Sequence, residues 1–559
     1  MYLCRLPIHK AIKLTFSPWY PVLFFLTLLL LGGWILDDYG ISWDESIQRR
    51  HGRVSIDYAA EKLEMTNHVA LESAWDLEDY QWSNYGMIYQ ITASGLELAL
   101  GYEDDPYHYY KLRHWMNFLL FWLACIYFYR TLRLRFPDKD WYPLLGTLAL
   151  VLSPRIFANG FYNPKDHILL VFYLISIFTL LRFLKERTWR NLIFHAFATG
   201  LALNTRLPAL IVPLTTALLL GWELLRERRG NEKNLVWVAT YLPLSIAFMI
   251  PFFPYLWEDT VSRLIDAFTE MSAFDWDSYV WLFGDRISAL DVPAYYIPAW
   301  IIITTPILYL LFMFTGIYAT VKNMIGSLRD FRFWRNDQEL LDFAQLGLSI
   351  GPILVVILLG STLYNGWRHL HFVYPGFIFL LMVGFEWAQK KWAQRAKQPI
   401  AKRTNRLLSW ARPQVPKLVL GAGLVLTALT MVIYHPHQYV YFNLAIQGKP
   451  LMTRFDMDYW GVGFREAFLE LAEQIPEGEV RSIKCEVWPC NDNFYALPPA
   501  AKAKFRLEGA WHKADYLATN FIWANTRYMV RDREEHFARP AVEIAPGGHL
   551  TVGIYRLRE

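Results

Sequence analysis

The stretch Trp19-Tyr20-Pro21-Val22-Leu23-Phe24-Phe25-Leu26-Thr27-Leu28-Leu29-Leu30-Leu31-Gly32-Gly33-Trp34-Ile35-Leu36 carries no charge and follows a segment containing Arg5, Lys10 and Lys13. A helical membrane span needs roughly 20 apolar residues. The apolar core of a cleaved signal peptide is shorter, roughly 7–15 residues, and precedes a small-residue cleavage site. The run therefore reads as a retained first span. Working outward from it, the segment 37–113 holds fifteen acids against six basic residues. By the excess of Lys and Arg expected on the cytoplasmic side, the N-terminus lies inside and this long loop outside.

The whole chain agrees with a membrane protein. Of 559 residues, 54% are hydrophobic and 17% aromatic, only 19% are charged, and the mean hydropathy is +0.17. The net charge of +4 hides a segregation along the chain, which is the informative quantity. Further spans are expected near 114–130, 141–154, 167–184, 190–204, 206–222, 235–253, 299–318, 342–360, 370–388 and 416–434, about eleven with the first. Every second connection is basic: Arg130 to Lys139, Arg182 to Arg190, Arg226 to Lys233, Lys322 to Arg335 and Lys390 to Lys417. This is the pattern expected of cytoplasmic loops. The outer side then receives the first loop, the turns Arg155 to Asp166, Asn204 to Pro208 and Ser361 to Phe372, the segment Pro254 to Pro298, and everything after Tyr434. The expected fold is mainly α: a polytopic membrane region over 1–434 and a small extracytoplasmic α/β domain over 435–559. Helical periodicity runs through Gly463 to Gln474, and strand-like patterns through Val480 to Val487, Tyr516 to Thr519 and His549 to Leu557.

Cysteine usage fits this sidedness. Cys4 falls inside and Cys125 within a span, whereas Cys485 and Cys490 share the outer domain, where an oxidising compartment favours a disulfide. A zinc site would need four ligands, and His512 and His549 are the nearby candidates. No Gly-rich phosphate loop points to nucleotide binding. The basic clusters sit beside spans, where topology accounts for them without nucleic acid.

The charged groups on the outer side gather at one depth. Asp44 and Glu45 follow span one in Tyr39-Gly40-Ile41-Ser42-Trp43-Asp44-Glu45. Arg155, Lys165 and Asp166 lie before span four, Arg206 in the next outer turn, and Arg368 and His369 before a late span. Taken alone, Asp44 and Glu45 could simply begin a helix, where carboxylates favour the positive dipole end, and the cations could snorkel to headgroups. As a set, ionisable groups beside hydrocarbon mark sites. Cations suit a lipid phosphate whose charge grows as it leaves, and a carboxylate suits an acceptor hydroxyl that must lose its proton. Trp75, Tyr80, Trp82, Tyr85, Trp276, Tyr279 and Trp281 are outer aromatics suited to an interfacial belt or to stacking on sugar rings. Val54 to Leu63 is suited to an amphipathic helix on the membrane surface covering the site.

The order and sidedness of these motifs resemble the GT-C glycosyltransferases, in the group containing the protein O-mannosyltransferases and the lipid A aminoarabinose transferases. The resemblance is carried by Trp43-Asp44-Glu45, Asn163-Pro164-Lys165-Asp166 and Arg368-His369. Tyr295-Tyr296-Ile297-Pro298-Ala299-Trp300 with Thr304-Thr305-Pro306, and His435-Pro436-His437-Gln438-Tyr439-Val440-Tyr441-Phe442-Asn443, are similar to bacterial members. The resemblance implies an inverting transfer of a sugar from a polyprenyl-phosphate donor to a glycolipid, glycan or protein hydroxyl on the outer face of the bacterial cytoplasmic membrane. It implies Asp44 as general base, Glu45 orienting it, and Asp166 shaping the site. Lys165, Arg206, Arg368, His369 and Arg155 would contact the donor phosphate, and a divalent cation, Mg or Mn, could bind at Asp44 and Asp166. The chain lacks the large insertion between spans found in the mannosyltransferases and carries its outer domain after the last span. Two other classes compete: a transporter or flippase of lipid-linked sugars, which would hold its groups nearer the midplane within repeated halves, and a non-catalytic membrane scaffold.

Overall fold

The computed structural model describes residues 19–65, 75–226, 232–272, 276–396, 412–448, 450–523 and 540–557, with 527, 529–530 and 534–537 between the last two. The basic N-terminal segment with Cys4, and Arg228, Arg229, Lys397, Lys402, Arg403 and Arg406 of the basic loops, lie outside the described residues.

The first span is α1 (Trp19–Ile35). The segment after it folds as two helices, α2 (Glu45–Lys62) and α3 (Ile88–Leu100), before α4 (Pro106–Arg135). The start of α4 is set locally: the Asp105 carboxylate accepts the Tyr107 and His108 N–H groups, and Pro106 takes the first helical position, where its missing N–H costs nothing. Then come α5 (Trp141–Val151), α6 (Pro154–Tyr162), α7 (Asp166–Lys185), α8 (Trp189–Leu203), α9 (Ile211–Arg226), α10 (Glu232–Met249) and α11 (Thr260–Ser272). A hairpin of β1 (Tyr279–Leu282) and β2 (Asp285–Ser288) leads to α12 (Tyr296–Thr304), α13 (Ile307–Leu328), α14 (Asp337–Leu358), α15 (Tyr374–Ala396) and α16 (Val415–Ile433).

Among the described residues, eight helices are long and apolar enough to cross a bilayer, and the pair α5 and α6, bent by 70°, can form a ninth. The chain is an integral membrane protein. Helices α4 and α8 stand where two further spans are expected. The first carries charge at its end and the second has only 15 residues. The centre is occupied by Asp166–Lys185 and Arg368–Arg395, whose apolar windows are 78% and 94% buried, whereas that of Trp19–Asp38 is 22% buried and faces outward. Helices α13 and α15 touch backbone to backbone because Gly316 and Gly384 face Leu380 and Phe312, and a Cβ at either glycine would collide there.

Two sequence expectations need correction. The turn expected over Arg155 to Asp166 is mostly the helix α6, all of whose residues are buried. Ser153-Pro154 bends the chain, and the helix then resumes with proline at its first position. The span expected at 299–318 is broken between α12 and α13 at Thr305-Pro306, since proline disfavours helix in the residue before it.

After the last span, the helix Phe464–Gln474 packs on a five-stranded sheet, β3 (Arg481–Cys485), β4 (Phe505–Leu507), β5 (Tyr516–Thr519), β6 (Pro540–Ile544) and β7 (Val552–Arg556), in the order β4-β3-β5-β7-β6. Strand β3 runs parallel to β4 and β5, and β7 antiparallel to β5 and β6. A disulfide joins Cys485 and Cys490. Periodicity predicts β3, β5, β7 and the helix, and misses β4, β6 and the hairpin β1-β2.

Candidate active site

The chain between α1 and α2 is held from both sides. The Asn493 side chain accepts the Ile41 N–H (2.8 Å) and donates to its carbonyl (2.9 Å), Trp43 N–H donates to the Trp460 carbonyl (2.8 Å), and Ser42 Oγ donates to the Tyr162 carbonyl (2.8 Å). This fixes the start of α2. Glu45 is fully buried. Its Oε1 accepts the Ser42 N–H at 2.7 Å, as a carboxylate reaching back to a helix start does, and Oε2 lies 3.0 Å from His114 Nε2. Asp44 occupies the N-cap position but makes no capping hydrogen bond with its side chain. Its carboxylate turns the other way.

It meets Arg368. Arg368 Nη1 donates to Asp44 Oδ2 at 2.7 Å and to Asp166 Oδ2 at 3.3 Å, and Asp166 Oδ1 is paired with Arg206. Asp166 is set by its own turn: Asn163 Oδ1 accepts the N–H groups of Asp166 (2.9 Å) and Lys165 (3.2 Å), and Asn163 donates in turn to Asn159 (2.9 Å). Carboxylates from two turns far apart in the chain thus converge on one guanidinium. That guanidinium lies 4.7 Å from the Trp460 ring and 5.0 Å from the Tyr364 ring, with its Nε unpartnered among the described residues. His369 packs edge-on against Tyr364, 4.6 Å between centroids. Lys165 forms no ion pair among the described residues, and its ammonium rests 4.2 Å from the Tyr85 ring centre.

The electrostatics follow from burial and charge. Burial pushes the Asp44 carboxyl up, but the Arg368 guanidinium and the Lys165 ammonium outweigh it and hold the group below its usual range. Burial, reinforced by the Arg206 charge, lowers Lys165 to about 8. Burial lifts Tyr85 to about 12, so the phenol stays neutral.

Asp44, Asp166, Lys165, Arg206, Arg368 and His369 are therefore brought into one neighbourhood. Glu45 and Arg155 are directed elsewhere. Glu45 faces α4, and Arg155, itself buried, donates from Nε to the Tyr441 carbonyl at 3.0 Å while its guanidinium lies 5.3 Å from the Trp300 ring and 4.8 Å from Phe442. Among the described residues, no group of three His, Cys, Asp or Glu side chains is arranged for a metal. Arg368 stands between the two carboxylates, so the set fits a guanidinium better than a divalent ion. A cavity of about 380 Å³ between α2 and α3 is lined by Ile56, Leu63 and Leu98 among other apolar residues and lies apart from these groups.

Trp460 and Tyr364 escape sequence reasoning. The available signal for Trp460 was its stretch, Asp456-Met457-Asp458-Tyr459-Trp460-Gly461. There the Asp458 carboxylate accepts the N–H groups of Gly461 (2.8 Å) and Gly463 (3.2 Å), and Gly461 takes a positive φ of 70°. Such a loop is built for shape rather than for solubility.

Residues 113–257 match the family model described as dolichyl-phosphate-mannose-protein mannosyltransferase, which bears out the resemblance to the GT-C glycosyltransferases. No curated protein matches the sequence significantly. Among solved structures, the chain is similar to the archaeal oligosaccharyltransferase AglB from Archaeoglobus fulgidus in complex with an inhibitory peptide and a dolichol-phosphate. That likeness has 11% identity and a TM-score of 0.48, covering 87% of this chain and 64% of that one. It is also similar to ArnT from Cupriavidus metallidurans bound to undecaprenyl phosphate, with 12% identity and a TM-score of 0.48, covering 96% of this chain and 98% of that one. The chain thus spans 64% of the length of the archaeal enzyme. Likenesses at this level leave the chemistry to be read from this chain's own residues.

Proposed function

We propose that the protein transfers a sugar from a polyprenyl-phosphate-linked donor to an acceptor hydroxyl at the outer face of the bacterial cytoplasmic membrane, with its N-terminus inside and residues 435–559 forming an extracytoplasmic domain on an eleven-span region. The observation that carries this reading is the meeting of Asp44 and Asp166 on Arg368, with Arg206 bound to Asp166 and Lys165 beside them. Dolichol-phosphate and undecaprenyl phosphate in the two similar structures are ligands of the same class.

In this reading, Lys165 and the Arg368 Nε, which have no carboxylate partner among the described residues, are directed at the donor phosphate. As phosphate draws Arg368 toward itself, its hold on Asp44 weakens and the carboxylate gains basicity. Asp44 accepts the proton of the acceptor hydroxyl as that oxygen bonds to the anomeric carbon. The bond from that carbon to the phosphate oxygen breaks with its electron pair going to the phosphate, where the cations stabilise the growing charge. Attack opposite the leaving group inverts the configuration. Asp166 holds Arg206 and Arg368 in position.

The test is Asp44→Asn in a reconstituted transfer assay. Transfer is expected to fall by roughly 10²–10⁴-fold, the usual worth of a positioned base, while binding of undecaprenyl phosphate persists. Undiminished transfer would remove Asp44 from the role of base.

A further inference from the structure

His51 lies on α2 two turns beyond Asp44, so the two residues share a helix face and stand roughly 10 Å apart along it. The His51 ring is only 2% exposed, yet among the described residues neither of its nitrogens has a hydrogen-bond partner. A buried donor and acceptor left unmatched are costly, so such a ring calls for a ligand that completes them. Two tyrosines flank it: Tyr85 nearly parallel at 6.0 Å and Tyr80 edge-on at 5.3 Å. The Tyr85 ring is the one that also carries the Lys165 ammonium at 4.2 Å. A single aromatic ring therefore connects the cation assigned to the donor phosphate with the unmatched imidazole.

We propose that His51, Tyr80 and Tyr85 form the subsite for the sugar ring of the lipid-linked donor, and that this ring is a neutral polyhydroxylated one. The inference rests on the proposed transferase reading and goes beyond it by locating the sugar. Burial, with the nearby Lys165 charge, lowers His51 to about 3, so the ring is neutral at physiological pH. A neutral imidazole offers one donor and one acceptor, which matches a pair of sugar hydroxyls, and the two tyrosine rings beside it supply apolar surface for the sugar's carbons. Of the charged groups that act on His51, Lys165 and Arg50 would repel an aminated ring, against the single carboxylate of Asp44. The separation along α2 is the scale of one phosphate-linked ring, with its anomeric carbon toward Asp44.

The experiment measures binding of bare undecaprenyl phosphate, and of the same lipid carrying glucose, mannose or galactose, to the full-length protein in nanodiscs. Wild type is expected to bind at least one sugar-bearing lipid about five- to tenfold more tightly than the bare lipid, the worth of one or two hydrogen bonds. His51→Phe, which keeps an aromatic ring and removes both polar atoms, should erase that advantage and leave bare-lipid affinity unchanged. His51→Gln, which restores a donor and an acceptor, should recover part of it. If His51→Phe kept the full advantage, His51 would not face the sugar. Equal wild-type affinity for all four lipids would overturn the sugar subsite alone, and no binding of any of them would overturn the transferase reading with it. Thermal unfolding of both variants identifies a misfolded protein, in which case His51→Gln carries the comparison.

Discussion

At the scale of the residue, a few charged atoms set the behaviour of the site. Arg368 accommodates two carboxylates through one nitrogen while leaving Nε free, a division that depends on the planar, five-donor guanidinium. Arg368→Lys keeps the charge and can meet two carboxylates through one nitrogen, but it loses the Nε donor and the planar group that lies against Trp460. It is expected to lower kcat/KM by at least tenfold, measured with a sugar-bearing polyprenyl phosphate. Lys165 sets the alkaline side of the pH response. Its pKa is lowered to about 8, so it is charged below that value and neutral above it, and kcat/KM should decline as pH rises through about 8. Lys165→Arg, permanently charged, should remove that limb. Asp44 is held below the ordinary carboxylate range, so it stays ionised as pH falls toward the usual value near ~3.9 and adds no acid limb above it.

At the scale of the element, the helices are tied by buried charge at both ends of α4. Near its start, Arg113 pairs with Glu97, donates to Gln90 (2.9 Å) and Ser94 (3.0 Å), and shares Glu97 with Arg49 at 2.8 Å, which binds α2, α3 and α4 into one unit. At its end, Arg135 grips Asp342 of α14 at 2.6 and 2.9 Å and reaches Glu386 of α15 at 3.3 Å, with Lys139 also on Glu386 at 2.6 Å. Asp342→Ala leaves Arg135 buried with half its partners. A stability loss of about 3–5 kcal/mol is expected in detergent unfolding, while the folded fraction retains donor-lipid binding. Sequence reading located α4, α14 and α15 by their apolar lengths but overlooked Asp342 and Glu386, because an acid inside a span shows its partner only after the helices have packed.

At the scale of the whole molecule, the C-terminal region reaches the candidate site through Trp460. Its helix Phe464–Gln474 is anchored to the segment after α1 where Arg465 Nε donates to the Asp37 carbonyl at 2.9 Å, and the preceding loop sets Trp460 under Arg368. Trp460→Ala is therefore expected to reduce transfer by about tenfold or more, with Trp460→Phe retaining most of it, since a cation over an aromatic face is worth about 0.5–2 kcal/mol. Transfer assayed alongside thermal unfolding separates lost positioning from lost folding. Undiminished transfer by Trp460→Ala would confine the site to the membrane region.

The sequence by itself determined the membrane class, the expected sidedness, most of the helices, and the charged residues of the outer turns. Each of these is written in local quantities: apolar run length, the alternation of basic and acidic loops, and prolines at element boundaries. The partners of the two acids in the pair were decided only by tertiary structure. Asp44 and Glu45 are neighbours with the same chemistry, yet one faces Arg368 and the other is consumed in fixing the start of α2 beside His114. Which way each carboxylate points depends on how α2 is seated against α4, the Asn163 turn and Trp460, contacts between segments far apart in the chain that no local pattern encodes.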